Sequence, residues 1–598
     1  MTGALLGRGH EYRLTLVDGG PAPVVRLEVR GRPVADLRIG SGCDADGQLD
    51  VLGALDGPHI DQDRGETAIV WHASTSLWQS VEYRFTCCAD SLRFGYRVVG
   101  QGAVDRARYF CSALEDDTEL WSVPRFDWLF NPEPTSKAKQ RFAAGELARV
   151  GVGSDKAYQL GNWFFSPGPL CFVLETSGDD ACVAVGVAEG RGRLGFTDFE
   201  ALPSSQGGFG LGLTYEQHTV VAGEWSAPEV VLLPAAEPYA AVQRYCDWLR
   251  AERLAPNPGP RATPSWWREP MFCGWGEQVN QSVIAADACT QANYECWLGV
   301  LESRGVEPGT VVVDDKWQAS YGENTFDVAR WPTPHDFIRT QHARGRKVLL
   351  WLRAWSAEGL PSEECVVSPD GQLLACDPTH PGYQRRLRAA MQRMLLEYDA
   401  DGFKLDFTHR IPVGRGVTTA SGVWGVDLMH HLLTLVANTM RETKPDALLM
   451  AHTANPAFAS VVDMLRLNDV PGITGQPKSY VLPMQHRARI ARSAGPAWLI
   501  DTDNWPSPDR RSFLEYLDVQ PSLGVPSLYF ATGIRWKSPG ETWVSQPSTK
   551  QTMPTSAASG PRIDARPDWP SGAMSNGLQS SRSVHADWRA ARADGTST

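Results

Sequence analysis

Apolar and polar positions alternate along the first part of the chain, from residue 12 to about 231. Short β-branched and aromatic runs are separated there by Gly, Asp, Ser and Pro, and helical 3.6-residue spacing is almost absent, which is typical of antiparallel strands. Residues 81–87 and 92–98 flank the turn sequence Ala-Asp-Ser and predict a hairpin with one solvated face. We therefore predict an N-terminal β-sandwich domain over residues 1–255. A linker helix closes it, with these apolar positions: Val242, Tyr245, Cys246 and Leu249.

The pattern changes after a Pro-rich break at 255–264. Short apolar strands then alternate with longer amphipathic segments, which indicates a parallel sheet covered by helices. The strand candidates are residues 271–275, 310–314, 348–352, 402–405, 448–451, 464–467, 497–500 and 525–530. Eight parallel strands, over a span close to the ~250 residues usual for the fold, predict a (β/α)8 TIM barrel at 265–540.

The end of the chain, residues 545–598, is rich in Ser, Pro, Thr, Arg and Ala and has no periodic apolar pattern. We predict a disordered or irregular tail there, where the eighth helix of the barrel would follow. Two interpretations stay open. The tail is a disordered regulatory segment, or it is a non-native sequence that replaces the eighth helix and a C-terminal β-domain.

Charge narrows the classes of partner. The 598 residues include 57 Lys and Arg against 69 Asp and Glu, a net charge of −12, without a Lys/Arg-rich run. We therefore expect neither a nucleic acid nor a membrane as a partner. The first twenty residues lack the apolar core of a secretory signal, so we expect a cytoplasmic protein, and a homo-oligomer is left open.

Cysteine and tryptophan usage bears on the kind of site. The 12 cysteines include no CxxC pair and indicate reduced thiols, and no motif for a metal or an organic cofactor is found, so we expect neither. The 22 tryptophans outnumber the 20 phenylalanines. They either fill cores or stack on the apolar faces of sugar rings.

Polar residues at the ends of the barrel strands are the candidate catalytic groups, because active sites of this fold lie at the carboxyl ends of the strands. Lys404 and Asp406 are two residues apart and share the inward side of the fourth strand. A lysine keeps a neighbouring carboxylate ionised, as a nucleophile requires, although an isolated pair of this kind is more often a structural ion pair. Arg466 lies in the sixth strand and Asp469 follows it, which gives a second carboxylate on a strand not adjacent to that of Asp406. Such a pair across the mouth is typical of glycoside hydrolysis, with retention at a separation of about 5–5.5 Å and inversion at about 6.5–9.5 Å, and both stay open.

Other strand ends carry further candidate substrate contacts. Asp314 and Asp315 follow the second strand, where sugar hydroxyls are the favoured ligands and a metal is the weaker alternative. Trp351 and Arg353 share a face of the third strand and offer a ring for stacking and a fork for hydroxyls or an anion. The remaining candidates are Trp275, Arg466, His452 and Asp503, with Trp317 and Trp355 as additional stacking rings.

Several motifs occur in a consistent order: Asp-Asp-Lys-Trp at 314–317, Arg-Trp-Pro at 330–332, His-x-x-Gly-x-Lys at 342–347, Leu-Trp at 350–351, Lys-x-Asp at 404–406 and Arg-x-x-Asp at 466–469. Together they resemble the motifs of the retaining α-glycosidases of the α-galactosidase clan, in particular glycoside hydrolase family 36, with family 31 as a relative. The resemblance covers about residues 1–540. It implies that Asp406 is the nucleophile and Asp469 the acid/base. It also implies that Asp314, Asp315, Trp351 and Lys404 hold the sugar in the −1 subsite.

Two departures bear on specificity. Family 36 galactosidases carry a Cys-x-Gly-Gly-Gly turn after the fifth strand, whereas this chain has Ala-His-Thr-Ala-Asn-Pro at 451–456. Lys316 replaces the glycine of the Asp-Asp-Gly-Trp motif and, with Arg353, suggests an acidic or sulfonated sugar.

The resemblance thus predicts a retaining α-glycoside hydrolase, α-galactosidase-like, that acts on a terminal α-linked sugar of an oligosaccharide or small glycoside. Two alternatives stay open: a transglycosylase with the same two aspartates, and a catalytically silent sugar-binding protein.

Overall fold

A computed structural model of the protein describes residues 3–20, 22–63, 65–114, 118–132, 139–142, 147–153, 166–177, 181–257, 263–467, 469, 481–505 and 510–533. The predicted tail at 545–598 lies outside these residues. The predicted domain boundaries at 255 and 265 stay a prediction.

The amino-terminal part consists of antiparallel strands. They are β1 (Leu5–Arg8), β2 (Tyr12–Asp18), β3 (Val24–Val29), β4 (Arg32–Arg38), β5 (Cys43–Ala45), β6 (Leu52–Asp63), β7 (Glu66–Thr75), β8 (Ser80–Cys87), β9 (Leu92–Tyr109), β10 (Cys111–Ala113), β11 (Glu119–Trp121), β12 (Val123–Pro124), β13 (Trp128–Phe130), β14 (Lys139–Arg141), β15 (Ala148–Gly151), β16 (Cys171–Glu175), β17 (Cys182–Val187), β18 (Asp198–Pro203), β19 (Phe209–Ser226) and β20 (Val230–Ala235). A five-stranded sheet has the order β1-β2-β3-β4-β12. A thirteen-stranded sheet runs β14-β13-β16-β17-β20-β9-β19-β18-β15, with β5 and the β6-β7-β8 meander joined to it through β9.

The alternation in the sequence explains these sheets. In β2 the side chains of Tyr12, Leu14 and Leu16 are buried. Burial of each such large apolar side chain stabilises the fold by about 1.5–3 kcal/mol. The predicted hairpin is confirmed, because β8 pairs with β9 in antiparallel register, with Phe85 opposite Phe94.

The carboxyl-terminal part is a parallel barrel. Its eight strands are β21 (Met271–Cys273), β22 (Thr310–Val313), β23 (Lys347–Arg353), β26 (Gly402–Asp406), β27 (Leu448–Ala451), β28 (Met464–Arg466), β29 (Leu499–Asp501) and β30 (Ser527–Leu528), and a short hairpin of β24 (Cys365–Val367) and β25 (Leu373–Cys376) follows β23. The order is β29-β28-β27-β26-β23-β22-β21-β30, and a single parallel bridge from Asp501 to Val525 brings the two ends together. All eight predicted strands are thus confirmed, together with the TIM-like fold class.

The described helices are α1 (Pro238–Ala251), α2 (Trp275–Gln281), α3 (Gln291–Ser303), α4 (Pro334–Ala343), α5 (Pro381–Gln392), α6 (Gly425–Thr443), α7 (Val481–Ala494) and α8 (Arg510–Leu523). None of these described helices is long and apolar enough to cross a membrane. Helix α1 buries the predicted apolar positions, and the hydroxyl of Tyr245 donates to the carbonyl of Val187 at 2.7 Å. The helix is thereby fixed to the end of β17.

The segment after β26, residues 407–424, here called the β26 loop, is held by the amino-terminal sheets. Gly153 N–H donates to the carbonyl of His409 at 2.9 Å, and the amide of Gly414 donates to the Glu216 carboxylate at 2.9 Å. His218 lies 3.0 Å from the Gly414 carbonyl and stacks on Trp424, with ring centroids 3.5 Å apart. The amino-terminal part therefore supports the loop that leaves the barrel mouth next to Asp406.

Candidate active site

Asp406 ends β26 and is 7% exposed. Trp351 Nε1 donates to its Oδ2 at 3.0 Å, the amide of Phe407 donates to Oδ1 at 2.7 Å, and Nε2 of His452 lies 2.9 Å from Oδ1. Burial alone would raise the pKa of Asp406, but the charge and hydrogen bond of His452, followed by the charge of Arg466, hold that pKa well below its usual range. The carboxylate is thus ionised and fixed in orientation, as a nucleophile requires.

Trp351 and His452, both predicted to contact substrate, lie against Asp406. Trp351 is 1% exposed and His452 0%, so their positions orient the carboxylate. Burial lowers the pKa of His452, whereas the charge and hydrogen bonding of Asp406 oppose that shift.

Stacking on sugar rings is wrong for three of the four tryptophans for which it is predicted. Trp351, Trp317 and Trp355 are 1%, 0% and 5% exposed, because each ring fills the space between the strand ends and the loops. Trp275 is half-buried at the start of α2, with its ring 5.9 Å from that of Trp505. It is the one member of this set with ring surface left for a ligand.

Arg466 brings four carboxylates together at the end of β28. Its Nη2 lies 2.6 Å from Oδ1 of Asp469 and contacts Oδ2 of Asp503, and its Nη1 lies 3.7 Å from Oδ2 of Asp406. Nε lies 4.0 Å from Asp501. One guanidinium thus lies beside both predicted catalytic carboxylates, Asp406 and Asp469.

Asp469 has the opposite electrostatic character from Asp406. Burial, followed by the negative charges of Asp503 and Asp406, raises its pKa to about 7 against the opposing charge of Arg466. A carboxyl group with this pKa is partly protonated near neutral pH and is suited to give and take a proton. One aspartate thus has a lowered pKa, as an ionised nucleophile requires, and the other has a raised pKa, as a general acid/base requires.

Lys404 and Asp314 form a buried ion pair at 2.6 Å, with 3% of each side chain exposed. The Cys273 thiol donates to the same carboxylate at 3.0 Å, and the Tyr294 hydroxyl accepts from the Asp314 amide at 2.8 Å. Burial lowers the pKa of Lys404, but the neighbouring negative charges, Asp314 first among them, raise it above its usual value. The buried ion pair of Lys404 is thus with Asp314 and not with Asp406, its neighbour in the Lys-x-Asp motif.

Asp315 lies nearer the opening. Its carboxylate accepts a hydrogen bond of 2.7 Å from Tyr321, and burial raises its pKa to about 6. Arg353 is exposed beside it, with its guanidinium over the rings of Tyr321 and Phe407 at 5.0 and 5.7 Å. These groups leave hydrogen-bonding atoms at the mouth for a ligand.

Lys316 does not supply the free cation suggested by the sequence. Its ammonium donates to both carboxylate oxygens of Glu358 at 3.0 and 3.1 Å and lies 3.8 Å from the centroid of Tyr321. The positive φ of 74° at Lys316 turns the chain there. The partner is 42 residues away in the sequence, so the pairing could not be read from the motif.

Two residues of the site, Tyr321 and Arg487, lie away from the strand ends and were therefore not predicted from the sequence. Tyr321 lies in the loop after β22, and Arg487 lies on α7, where it donates at 2.8 Å to the carbonyls of Leu467 and Asp469. Arg487 thereby holds the chain on either side of position 468. Its location among buried apolar positions of a helix could have marked it as unusual.

No group of His, Cys, Asp or Glu side chains suited to a metal ion lies within the described ranges. At the mouth, Asp314 forms an ion pair with Lys404, and Asp503 forms one with Arg466.

No protein-family model matches the chain. A curated relative, the myogenesis-regulating glycosidase of Mus musculus, is 28% identical over 161 residues, which covers 23% of this chain and 21% of that protein. The chain therefore matches about one fifth of the length of this relative.

Among solved structures, the cycloalternan-forming enzyme from Listeria monocytogenes in complex with a pentasaccharide substrate matches with a TM-score of 0.51 and 11% identity, over 85% of this chain and 54% of that one. A GH31 family sulfoquinovosidase from E. rectale matches with a TM-score of 0.52 and 9% identity, over 88% of this chain and 78% of that one. A GH36 α-galactosidase from Geobacillus stearothermophilus matches with a TM-score of 0.46 and 12% identity, over 86% of this chain and 74% of that one. At these identities, the similarity to the Listeria monocytogenes and E. rectale structures shows the fold.

Proposed function

We propose that the protein is a retaining α-glycoside hydrolase with Asp406 as nucleophile and Asp469 as acid/base. The observation that carries the proposal is the pair of carboxylates on Arg466, one with a pKa well below its usual range and the other with a pKa of about 7. The structural similarity to glycosidases supports it.

The chemistry proceeds in two displacements. Ionised Asp406 attacks the anomeric carbon while protonated Asp469 gives its proton to the leaving glycosidic oxygen, so a glycosyl ester replaces the glycosidic bond. Asp469, now ionised, takes a proton from water, and the water oxygen displaces Asp406 from the anomeric carbon. Two inversions return the α-anomer, and Asp469 ends protonated.

The substrate we propose is a terminal α-linked sugar on an oligosaccharide or small glycoside, with an α-galactoside as the first to be tried. Of the predicted contacts with that sugar, Asp315, Arg353 and Trp275 are the ones whose side chains are not buried. We further propose that the protein acts in the cytoplasm on imported glycosides. A transglycosylase is the second candidate, since the similar Listeria monocytogenes structure is described as a cycloalternan-forming enzyme.

The test is hydrolysis of a panel of aryl α-glycosides by the wild type and by Asp406→Asn. We expect Asp406→Asn to lower kcat by more than 1,000-fold, because the nucleophile is lost. Asp336→Asn, an exposed surface substitution on α4, is the matched control. NMR of the first-formed sugar is expected to show the α-anomer. Wild-type turnover in Asp406→Asn, or a β-anomer, would contradict the proposal, and glycosyl transfer in place of hydrolysis would favour the second candidate.

A further inference from the structure

Arg353 occupies the position next to the proposed nucleophile on the neighbouring strand. In the parallel register of β23 and β26, Trp351 pairs with Lys404 and Arg353 pairs with Asp406. Paired residues of adjacent parallel strands project to the same side, about 4.8 Å apart. The side chain of Arg353 therefore leaves the sheet on the side that carries Asp406, at the last position before the loop.

An aromatic floor lies under its guanidinium. Trp351 contacts Tyr321 and Phe407, with ring centroids 5.8 and 6.0 Å apart, and Arg353 lies over the two outer rings. A planar cation on ring faces is held by cation–π attraction while its N–H edges stay open. The residue is exposed, and its guanidinium hydrogen-bonds the Tyr321 hydroxyl, which leaves the rest of its N–H edge for a ligand.

The other cations of the mouth each form an ion pair with a carboxylate, and Arg353 differs from them in this respect. Lys404 is paired with Asp314, Arg466 with Asp503, and Lys316 with Glu358. Within the part of the chain that the structure describes, no carboxylate lies within ion-pair distance of Arg353. Asp315 is the acidic group whose pKa it influences, and that carboxylate already accepts the hydroxyl of Tyr321.

We propose that Arg353 binds an oxyanion carried by the sugar, a carboxylate or a sulfonate, so that the preferred substrate is an anionic α-glycoside. This inference rests on the proposed glycosidase function. A guanidinium with open edges binds two oxygens of such a group through parallel charge-assisted hydrogen bonds. The rings beneath it remove water from one face, which strengthens the attraction relative to bulk solvent.

The experiment compares kcat/KM for the 4-nitrophenyl α-glucoside, α-glucuronide and α-sulfoquinovoside. The three sugars differ at C6 alone, where they carry a hydroxyl, a carboxylate or a sulfonate. We expect the wild type to prefer one of the two anionic sugars over the glucoside at least 10-fold, and the better one identifies the oxyanion. Arg353→Gln is expected to lower the anionic-to-neutral ratio of kcat/KM by about 10- to 100-fold, and Arg353→Lys by less, because the charge stays.

Arg385→Gln, an exposed arginine on α5, is the matched control and is expected to leave the ratio unchanged. A wild-type enzyme that favours the glucoside, or a ratio unaffected by Arg353→Gln, would overturn the inference while the glycosidase proposal stands.

If none of the three substrates is turned over, the glycosidase function is tested separately with the full panel of aryl α-glycosides, and the inference is decided by calorimetry on Asp406→Asn with glucose, glucuronic acid and sulfoquinovose. Tighter binding of an anionic sugar that is lost on adding Arg353→Gln supports the inference. Equal binding of the three sugars overturns it.

Discussion

Asp503→Asn is expected to move the pH dependence of the reaction, because the charge of Asp503 contributes to the raised pKa of Asp469. Asp503 is 0% exposed and contacts the same Nη2 atom of Arg466 that lies 2.6 Å from Asp469. The two carboxylate oxygens therefore lie within about 5 Å, and at an effective dielectric constant of about 20 their repulsion is about 3 kcal/mol, or about 2 pKa units.

The sign follows from the role of Asp469 as general acid. Glycosidic bond cleavage needs its protonated form, so activity falls as the pH rises through its pKa of about 7. In Asp503→Asn this basic limb is expected near pH 5. At pH 7 the protonated fraction falls from about one half to about one hundredth, so kcat/KM falls about 50-fold.

The assay is a pH–rate profile from pH 4 to 9 with two aryl α-glycosides of the same sugar. A phenyl leaving group needs the proton from Asp469, whereas a 2,4-dinitrophenyl group leaves with little acid assistance, so the loss at pH 7 is expected to be smaller for the second. Asp336→Asn is the control for a surface change of equal chemistry. A basic limb that stays near pH 7, or an equal loss at pH 5 and pH 7, would refute the assignment of Asp469.

Two further predictions concern stability. Lys404→Met leaves Asp314 buried without its partner and is expected to destabilise the protein by about 3–5 kcal/mol, and Lys404→Met/Asp314→Asn to recover part of that loss, as measured by denaturant unfolding. Equal stability of the single and double variants would contradict the ion pair. His218→Phe keeps a ring against Trp424 but loses the hydrogen bond to Gly414, at a cost of about 0.5–1.5 kcal/mol at pH 8. Burial lowers the pKa of His218, so unfolding takes up a proton below about pH 6.5. The free energy of unfolding therefore decreases as the pH is lowered below that value. The Tm difference between pH 8 and pH 5 is therefore expected to be smaller in the variant, and an unchanged difference would show that this histidine does not titrate on unfolding.

The barrel could be predicted from the sequence because its strands are buried on both faces. Thr310–Val313 and Leu448–Ala451 are short, wholly buried runs, and such runs bounded by helical periodicity define strand positions directly. The placement of Asp406 and Asp469 at one mouth followed from the same logic, since parallel strands end at one edge.

The rest of the site depends on contacts between loops, which local periodicity does not encode. The count of tryptophans could not show that Trp351 turns its N–H toward Asp406 and leaves no ring surface exposed. The position of Lys316 in a motif could not show its pairing with Glu358. Arg487 comes from a helix, where no strand end marks it.

The support of the β26 loop by the amino-terminal sheets has a consequence for engineering the protein. The loop starts at Phe407, whose amide contacts the proposed nucleophile, and its far end is secured by Glu216 and His218 of β19. A barrel excised at residue 265 would keep its eight strands and lose the outside anchor of this loop. A barrel exchanged between relatives would therefore need the residues at β15 and β19 that contact this loop to be exchanged with it, because they hold the segment next to the proposed nucleophile.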